Sequence, residues 1–193
     1  MSIAADLGRS GISIQDRIIS PAEARELREC ASIRDVRGDF AAARIGAGGA
    51  LQRLERVRGD FTCWLQEPLL PPERDLLERL EGLRLQLNRE AFLGLLELEL
   101  HYAKYPRGAR YERHVDQPQG IEARKLSLVL YLNSQWQTAD GGELRIRQDD
   151  SSFVDVEPLE GRLVCFLTAD REHEVLTARR ERLSISGWFR GRQ

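Results

Sequence analysis

Histidine is scarce in this chain: His101, His114 and His173 are the only three among 193 residues. A site built on imidazole therefore has few residues to draw from. Cysteine is equally scarce, and Cys30, Cys63 and Cys165 are odd in number, widely spaced and without a CxxC pair. That pattern excludes a disulfide framework and a cysteine zinc site, and it predicts buried free thiols in a reducing compartment. Positive charge is not in excess, since 29 Lys and Arg face 31 Asp and Glu for a formal net charge of −2. Non-specific nucleic-acid binding needs a strong positive field, so no nucleic-acid partner is expected. Apolar runs such as LSLVLYL fall far short of the roughly 20 residues that span a bilayer, so no membrane partner is expected either. The opening MSIAADLGRS has neither a basic n-region nor an apolar h-region, which predicts a soluble, cytoplasmic protein.

What is present fits one large domain over residues 1–193, with an apolar fraction of 41% to fill its core. Ser20-Pro21-Ala22-Glu23 reads as a capping box with proline at the first helical position, predicting a helix from Pro21 to about Ile33. A second helix should open near Pro72, with Leu76, Leu77, Leu80, Leu83 and Leu87 forming one apolar stripe. Asn88, Glu90 and Ala91 suggest a break followed by a short third helix through Leu95. Between the first two helices, glycines 46, 48 and 49 suggest a mobile loop between short strands. VRGDF occurs twice, at 36–40 and 57–61, which is too little for a repeat architecture. From Leu96 onward the segments LELELHYAKY, RKLSLVLYLN, GGELRIR, FVDVEP, GRLVCFL, HEVL and RLSISGWF read as strands. Helical support over 1–95 followed by a strand core over 96–190 points to an α+β fold, helices buttressing an antiparallel sheet or barrel.

Period-two counting separates the faces of three of these strands. Leu96, Leu98, Leu100 and Tyr102 oppose Glu97, Glu99, His101, Ala103 and Tyr105. Leu126, Leu128, Leu130 and Leu132 oppose Lys125, Ser127, Val129 and Tyr131, and Leu183, Ile185 and Phe189 oppose Arg182, Ser184, Ser186 and Trp188. The leucine faces suit packing on helices. The mixed faces, carrying Tyr131, Ser184, Ser186 and Trp188, suit the lining of a concave site better than open solvent.

In RHVDQP, His114 and Asp116 would point to the same side of an extended segment. With His173 they would make a two-histidine, one-carboxylate triad, which binds Fe(II) on one face and leaves other positions open. An HxD alone is weak, and His173 in DREHEV could be an ordinary loop histidine. The joint case gains from Arg182, nine residues beyond His173 on a polar strand face. A guanidinium pointing into a barrel is expensive unless an anion meets it, and a dicarboxylate would do so.

These stretches resemble the 2-oxoglutarate- and Fe(II)-dependent dioxygenases, and more narrowly the prolyl hydroxylases that act on hypoxia-inducible factor. The resemblance lies in AKYPRGARYERHVDQPQG, LYLNSQW, GGELRIR, VDVEPLEGRLVCFL, HEV, RLSISGWF and RGDFTCW, and spans roughly residues 55–190. It implies a double-stranded β-helix (a jelly-roll, cupin-like barrel) behind N-terminal helices. It further implies His114, Asp116 and His173 as iron ligands, with Arg182 and the Tyr131 hydroxyl on the distal carboxylate of 2-oxoglutarate. Tyr105 and Leu144 match positions beside that cosubstrate, and Ser186 shares their pocket face. Arg124 and Trp188 match positions that touch a substrate peptide, and Arg44–Arg58 matches a loop closing over it, with Arg58 and Asp60 at its base. Fe(II), 2-oxoglutarate and O2 are the implied cofactors and cosubstrates, with ascorbate as an accompanying reductant.

The implied reaction is hydroxylation at C4 of a prolyl residue with release of succinate and CO2, by a free-standing, monomeric bacterial domain. Bacterial relatives are associated with elongation factor Tu, which makes it the implied protein partner. Short length differences around HVD and HEV, and a different Gly-rich loop, leave the substrate open. The alternatives are an oxygenase of the same superfamily acting on a small molecule or nucleic acid, and a non-catalytic metal-binding barrel.

Overall fold

The computed structural model describes residues 2–43, 57–116, 123–169 and 171–192. Of the expected Gly-rich loop, residues 44–56 lie outside the described residues.

A helix at Ile3–Ser10 (α1) opens the chain, followed by a strand at Ile12–Gln15 (β1). Neither was expected from the sequence, although local signals exist. The Ser2 hydroxyl accepts from the Ala5 amide at 3.2 Å, and Gly11 ends the helix in the left-handed region at φ 68. The next helix spans Pro21–Val36 (α2), with both arms of the Ser20–Glu23 capping box formed. Strands Ala41–Ala42 (β2) and Phe61–Trp64 (β3) precede a helix at Pro71–Ala91 (α3).

The expected break and third helix are corrected by this structure. α3 runs through Asn88 without interruption, and Leu95 already begins a strand. The Asn88 side chain accepts from the Leu95 amide and donates to the Leu95 carbonyl, both at 2.7 Å, so it fastens the incoming strand instead of ending the helix.

Eight further strands follow: Leu95–Tyr105 (β4), Tyr111–His114 (β5), Arg124–Tyr131 (β6), Leu144–Arg147 (β7), Phe153–Val156 (β8), Leu163–Leu167 (β9), His173–Val175 (β10) and Arg182–Gly191 (β11). They form a seven-stranded sheet in the order β1-β9-β6-β11-β4-β3-β2 and a four-stranded sheet in the order β5-β10-β7-β8. All named pairings are antiparallel, the arrangement of a double-stranded β-helix.

Two apolar layers result. Leu100, Tyr102, Leu126, Leu128, Leu130, Leu132, Ile185 and Phe189 pack with Leu27, Leu76, Leu80 and Leu87 of the helices. Between the sheets, Tyr105, Tyr131, Val164 and Phe166 meet Leu144, Ile146, Val156 and Val175. The period-two expectation holds along β6 and β11 and fails at one residue of β4. Leu95 is fully buried and Leu96 is 53% exposed. Gly191 pairs with Leu95 and Arg190 with Glu97, so Leu96 is an extra, unpaired residue at a bulge and turns outward.

One ion pair joins the helices to each other, and two further contacts tie the chain start to the sheets. Arg34 of α2 donates from Nε and Nη2 to the Glu73 carboxylate of α3 at 2.7 and 2.6 Å, and both residues are buried. β1 covers the outer edge of β9. Arg171 donates to the carbonyls of Ser10 and Arg147 at 3.3 and 2.9 Å, and a Cβ on Gly11 would lie only 2.3 Å from its Nη2.

Gly187 sits where β11 crosses β4 most closely, because a Cβ there would lie 1.9 Å from the Glu99 carbonyl oxygen. The strands must part to accept any side chain. Gly187→Ala should therefore cost about 1–3 kcal/mol of stability, read by denaturant unfolding.

Candidate active site

β5 and β10 place His114 directly opposite His173 in register, and Ile146 of β7 pairs with His173 on its other side. Asp116 follows β5 by two residues. Donor atoms of His114, Asp116 and His173 all lie within 4.8 Å of one another. His114 Nδ1–H donates to the Glu112 carbonyl at 2.8 Å, and His173 Nδ1–H donates to the Arg171 carbonyl at 3.0 Å. Each bond fixes the tautomer and leaves the Nε2 lone pair free. Those Nε2 atoms converge on Asp116, at 3.7 Å from Oδ1 and 3.5 Å from Oδ2. Ser127 Oγ donates to Asp116 Oδ2 at 2.6 Å and holds the carboxylate in place.

The protonation states suit a hard or borderline divalent cation. Burial, then the nearby His173, push the His114 imidazole down to about 3. Burial alone would raise the Asp116 carboxyl, but His173, His114 and the Ser127 hydroxyl outweigh it and hold the group at about 2. At neutral pH the cluster offers the neutral His114 imidazole and the Asp116 carboxylate beside the His173 ring nitrogen, the donor types of a ferrous site. Aromatic rings wall it in. Tyr111 stacks on His114 with centroids 3.6 Å apart, and Phe166 meets His173 edge-on at 4.8 Å.

The same pocket is lined by Arg182, Tyr105, Leu144, Ser186, Arg58, Asp60, His101 and Trp188. Arg182 is 2% exposed and donates from Nε to the Gly142 carbonyl at 3.0 Å. Its guanidinium lies 4.9 Å from the ring centres of both Tyr105 and Tyr131. No carboxylate pairs with it among the described residues. Arg58, by contrast, is neutralised by Asp60 through bonds of 2.7 and 3.0 Å and rests on Tyr111 at 4.6 Å. A buried cation without an anion, beside three donors that leave room for exchangeable ligands, fits an acidic cosubstrate and a metal together.

Tyr131 lies behind Arg182 and outside the pocket lining; it is fully buried, and its hydroxyl has no hydrogen-bond partner among the described residues. Arg124 also stands back from the cavity, its guanidinium 3.4 Å from the ring centre of Trp188 and Nη1 donating to the Asp116 carbonyl at 3.3 Å. Tyr111, Phe166 and Ser127 were not singled out from the sequence as site residues. Ser127 falls on the face that counting assigns to the pocket, and the Val164–Phe166 alternation of β9 could have found Phe166. Tyr111 sits in a four-residue strand too short to show a period.

The profile of the 2OG-Fe(II) oxygenase superfamily matches residues 100–190. A crystal structure of a prolyl-4-hydroxylase from Pseudomonas putida is 39% identical, covers 99% of this chain and 98% of its own, and superposes with a TM-score of 0.90. The chain belongs to the prolyl hydroxylase family of 2-oxoglutarate- and Fe(II)-dependent oxygenases. Egl nine homolog 1 of Homo sapiens is 33% identical over 146 residues, 69% of this chain and 33% of that protein. Prolyl hydroxylase EGLN3 of Mus musculus is 41% identical over 91 residues, 45% of this chain and 38% of that protein. The chain thus spans well under half the length of these two relatives. A Trichoplax adhaerens prolyl hydroxylase, solved with a hypoxia-inducible factor peptide, shares the fold at 23% identity and a TM-score of 0.88. Among the described residues no helix is long and apolar enough to cross a membrane.

Acid should loosen this family member at its site. Burial lowers His114 and His101 from 6.5 to about 3 each, so the unfolded chain takes up protons first as the pH falls. Stability from these rings is complete above about pH 6.5 and declines toward about pH 3, at up to about 1.4 kcal/mol per pH unit per ring. Denaturant unfolding of the chelator-treated protein between about pH 7 and about pH 5 measures that slope.

Proposed function

We propose that this chain, acting as one monomeric cytoplasmic domain over residues 1–193, hydroxylates C4 of a prolyl residue in a protein substrate, consuming 2-oxoglutarate and O2 and releasing succinate and CO2. The observation that carries this reading is the buried, acid-free Arg182 in the same pocket as the His114–Asp116–His173 cluster. A metal-binding barrel without catalysis would have no use for such a cation.

His114 and His173 would each give Nε2 to Fe(II), and Asp116 would give its carboxylate while Ser127 keeps it oriented. Bound there, the iron would supply oxygen activation, with ascorbate as the external reductant. Arg182 would take the distal carboxylate of 2-oxoglutarate, supported by the rings of Tyr105 and Tyr131, and Leu144 and Ser186 would border the carbon chain. Charge and reach together favour a five-carbon diacid. Trp188, braced by Arg124, would present an apolar wall to the prolyl ring, with the Arg58–Asp60 pair holding the neighbouring edge. Elongation factor Tu is the protein substrate to test first, because bacterial members of the resembled family are associated with it.

Under anaerobic conditions, Fe(II) and 2-oxoglutarate should produce a visible charge-transfer band, and prolyl peptides or elongation factor Tu should then stimulate succinate release in air. His173→Ala should lose the band while remaining folded. Arg182→Ala should raise the 2-oxoglutarate requirement roughly tenfold to a hundredfold, the worth of a charge-assisted hydrogen bond. An unchanged requirement would remove Arg182 from the cosubstrate site.

A further inference from the structure

The roles above leave one polar atom of the pocket without a task. His101 lies on β4, in register with Ser186 of β11 and Trp64 of β3, and its side chain lines the cavity. It is 3% exposed, and its Nδ1 is buried with no hydrogen-bond partner among the described residues. The ring is gripped between two indoles, 4.9 Å from Trp64 and 5.4 Å from Trp188. Trp64 is 45% exposed, so this aromatic group runs from the cavity to the surface. The neighbouring indole Nε1 of Trp188 is turned toward the Asp116 carboxylate, so it is His101 Nδ1 that lacks a polar neighbour among the described residues. Such a buried nitrogen is a standing cost unless a ligand meets it.

That ligand is not the diacid. Arg182 pairs with Tyr105 across β11 and β4, four residues along from the Ser186–His101 pair, which is about 13 Å of strand. Both ends of the diacid are also already committed, one carboxylate to Arg182 and the other end to the metal cluster, which leaves neither for His101. The other occupant of the pocket is the substrate polypeptide, and its chemistry is one-sided. A prolyl residue has a carbonyl but no N–H, so the peptide bond on its amino side offers an acceptor only. Trp188 Nε1–H can only donate. Burial, then the charge of Arg58, keep His101 neutral, so its ring acts as a hydrogen-bonding group and not as a cation.

We propose that His101 is a specificity residue for the polypeptide substrate, its Nδ1–H donating to a main-chain carbonyl oxygen beside the target proline. The proposal rests on the prolyl reading given above. It also explains why an imidazole, and not an apolar side chain, stands between two indoles on this wall.

Wild type, His101→Leu and His101→Asn separate the possibilities. The probe is a single-proline peptide, or elongation factor Tu, that stimulates succinate release by the wild type. Binding is read by calorimetry in the anaerobic protein loaded with Fe(II) and 2-oxoglutarate. Asparagine carries its amide nitrogen on Cγ, where histidine carries Nδ1, so it can make the same bond. His101→Leu should weaken binding roughly fivefold to tenfold, and His101→Asn should recover most of it. The 2-oxoglutarate dependence of the charge-transfer band should be alike in all three proteins. His101→Leu should unfold no earlier than wild type, since it removes an unsatisfied buried nitrogen. Peptide binding by His101→Leu equal to wild type, or by His101→Asn as weak as His101→Leu, would overturn the proposal alone. A wild type that forms the band but is stimulated by no prolyl substrate would overturn the prolyl reading and this proposal with it.

Discussion

The pairing of His173 with His114 across β5 and β10 is the constraint on which the site depends. In an antiparallel pair, a slip of one residue sends every side chain to the opposite face. At that register both imidazoles face the cavity, and each backbone carbonyl two residues upstream is free to hold an Nδ1–H. The aromatic flanks follow from the same pairing. Tyr111 shares β5 with His114, while Phe166 reaches His173 from the larger sheet, so the metal-binding groups sit in the seam between the two sheets.

Buried charge is sorted by partner. Glu73 meets Arg34 among the helices, and Asp60 meets Arg58 at the pocket wall, so each buried acid there is balanced within the protein. Asp116 and Arg182 are the exceptions. Asp116 has imidazoles and a hydroxyl around it, and Arg182 has a carbonyl and two phenol rings. An anion and a cation that meet no opposite charge among the described residues of one cavity fit a divalent metal at one and a carboxylate at the other. The twice-used VRGDF makes the same point about context. At the end of α2 its arginine is a helix cap, while in the second copy arginine and aspartate close on each other inside the pocket.

Much of this was legible in the sequence because the signals were local or strictly periodic. β6 from Leu126 onward and β11 up to Phe189 alternate without interruption, so Ser127, Arg182, Ser186 and Trp188 could be assigned to one face before any coordinates. The triad was readable from HVD, one distant histidine and the family resemblance together. The bulge at Leu96 was not, because it arises from the partner strand's register and not from β4 itself. Asn88 misled because its side chain acts on a strand seven residues later, whereas break signals are read locally. Tyr111 gains its place only when segments some fifty residues apart are brought together, as the Arg58–Tyr111 bridge does.

The short strand β1 has an importance out of proportion to its four residues. It lies along β9, whose outer edge would otherwise be a row of open amides and carbonyls beside the strand carrying Phe166. Such an edge invites strand addition from another molecule. The half of the chain that carries the site is therefore not self-sufficient. Shorn of its first turn of helix and strand, it would meet its own copies sticky side first, and clumping would precede any loss of chemistry.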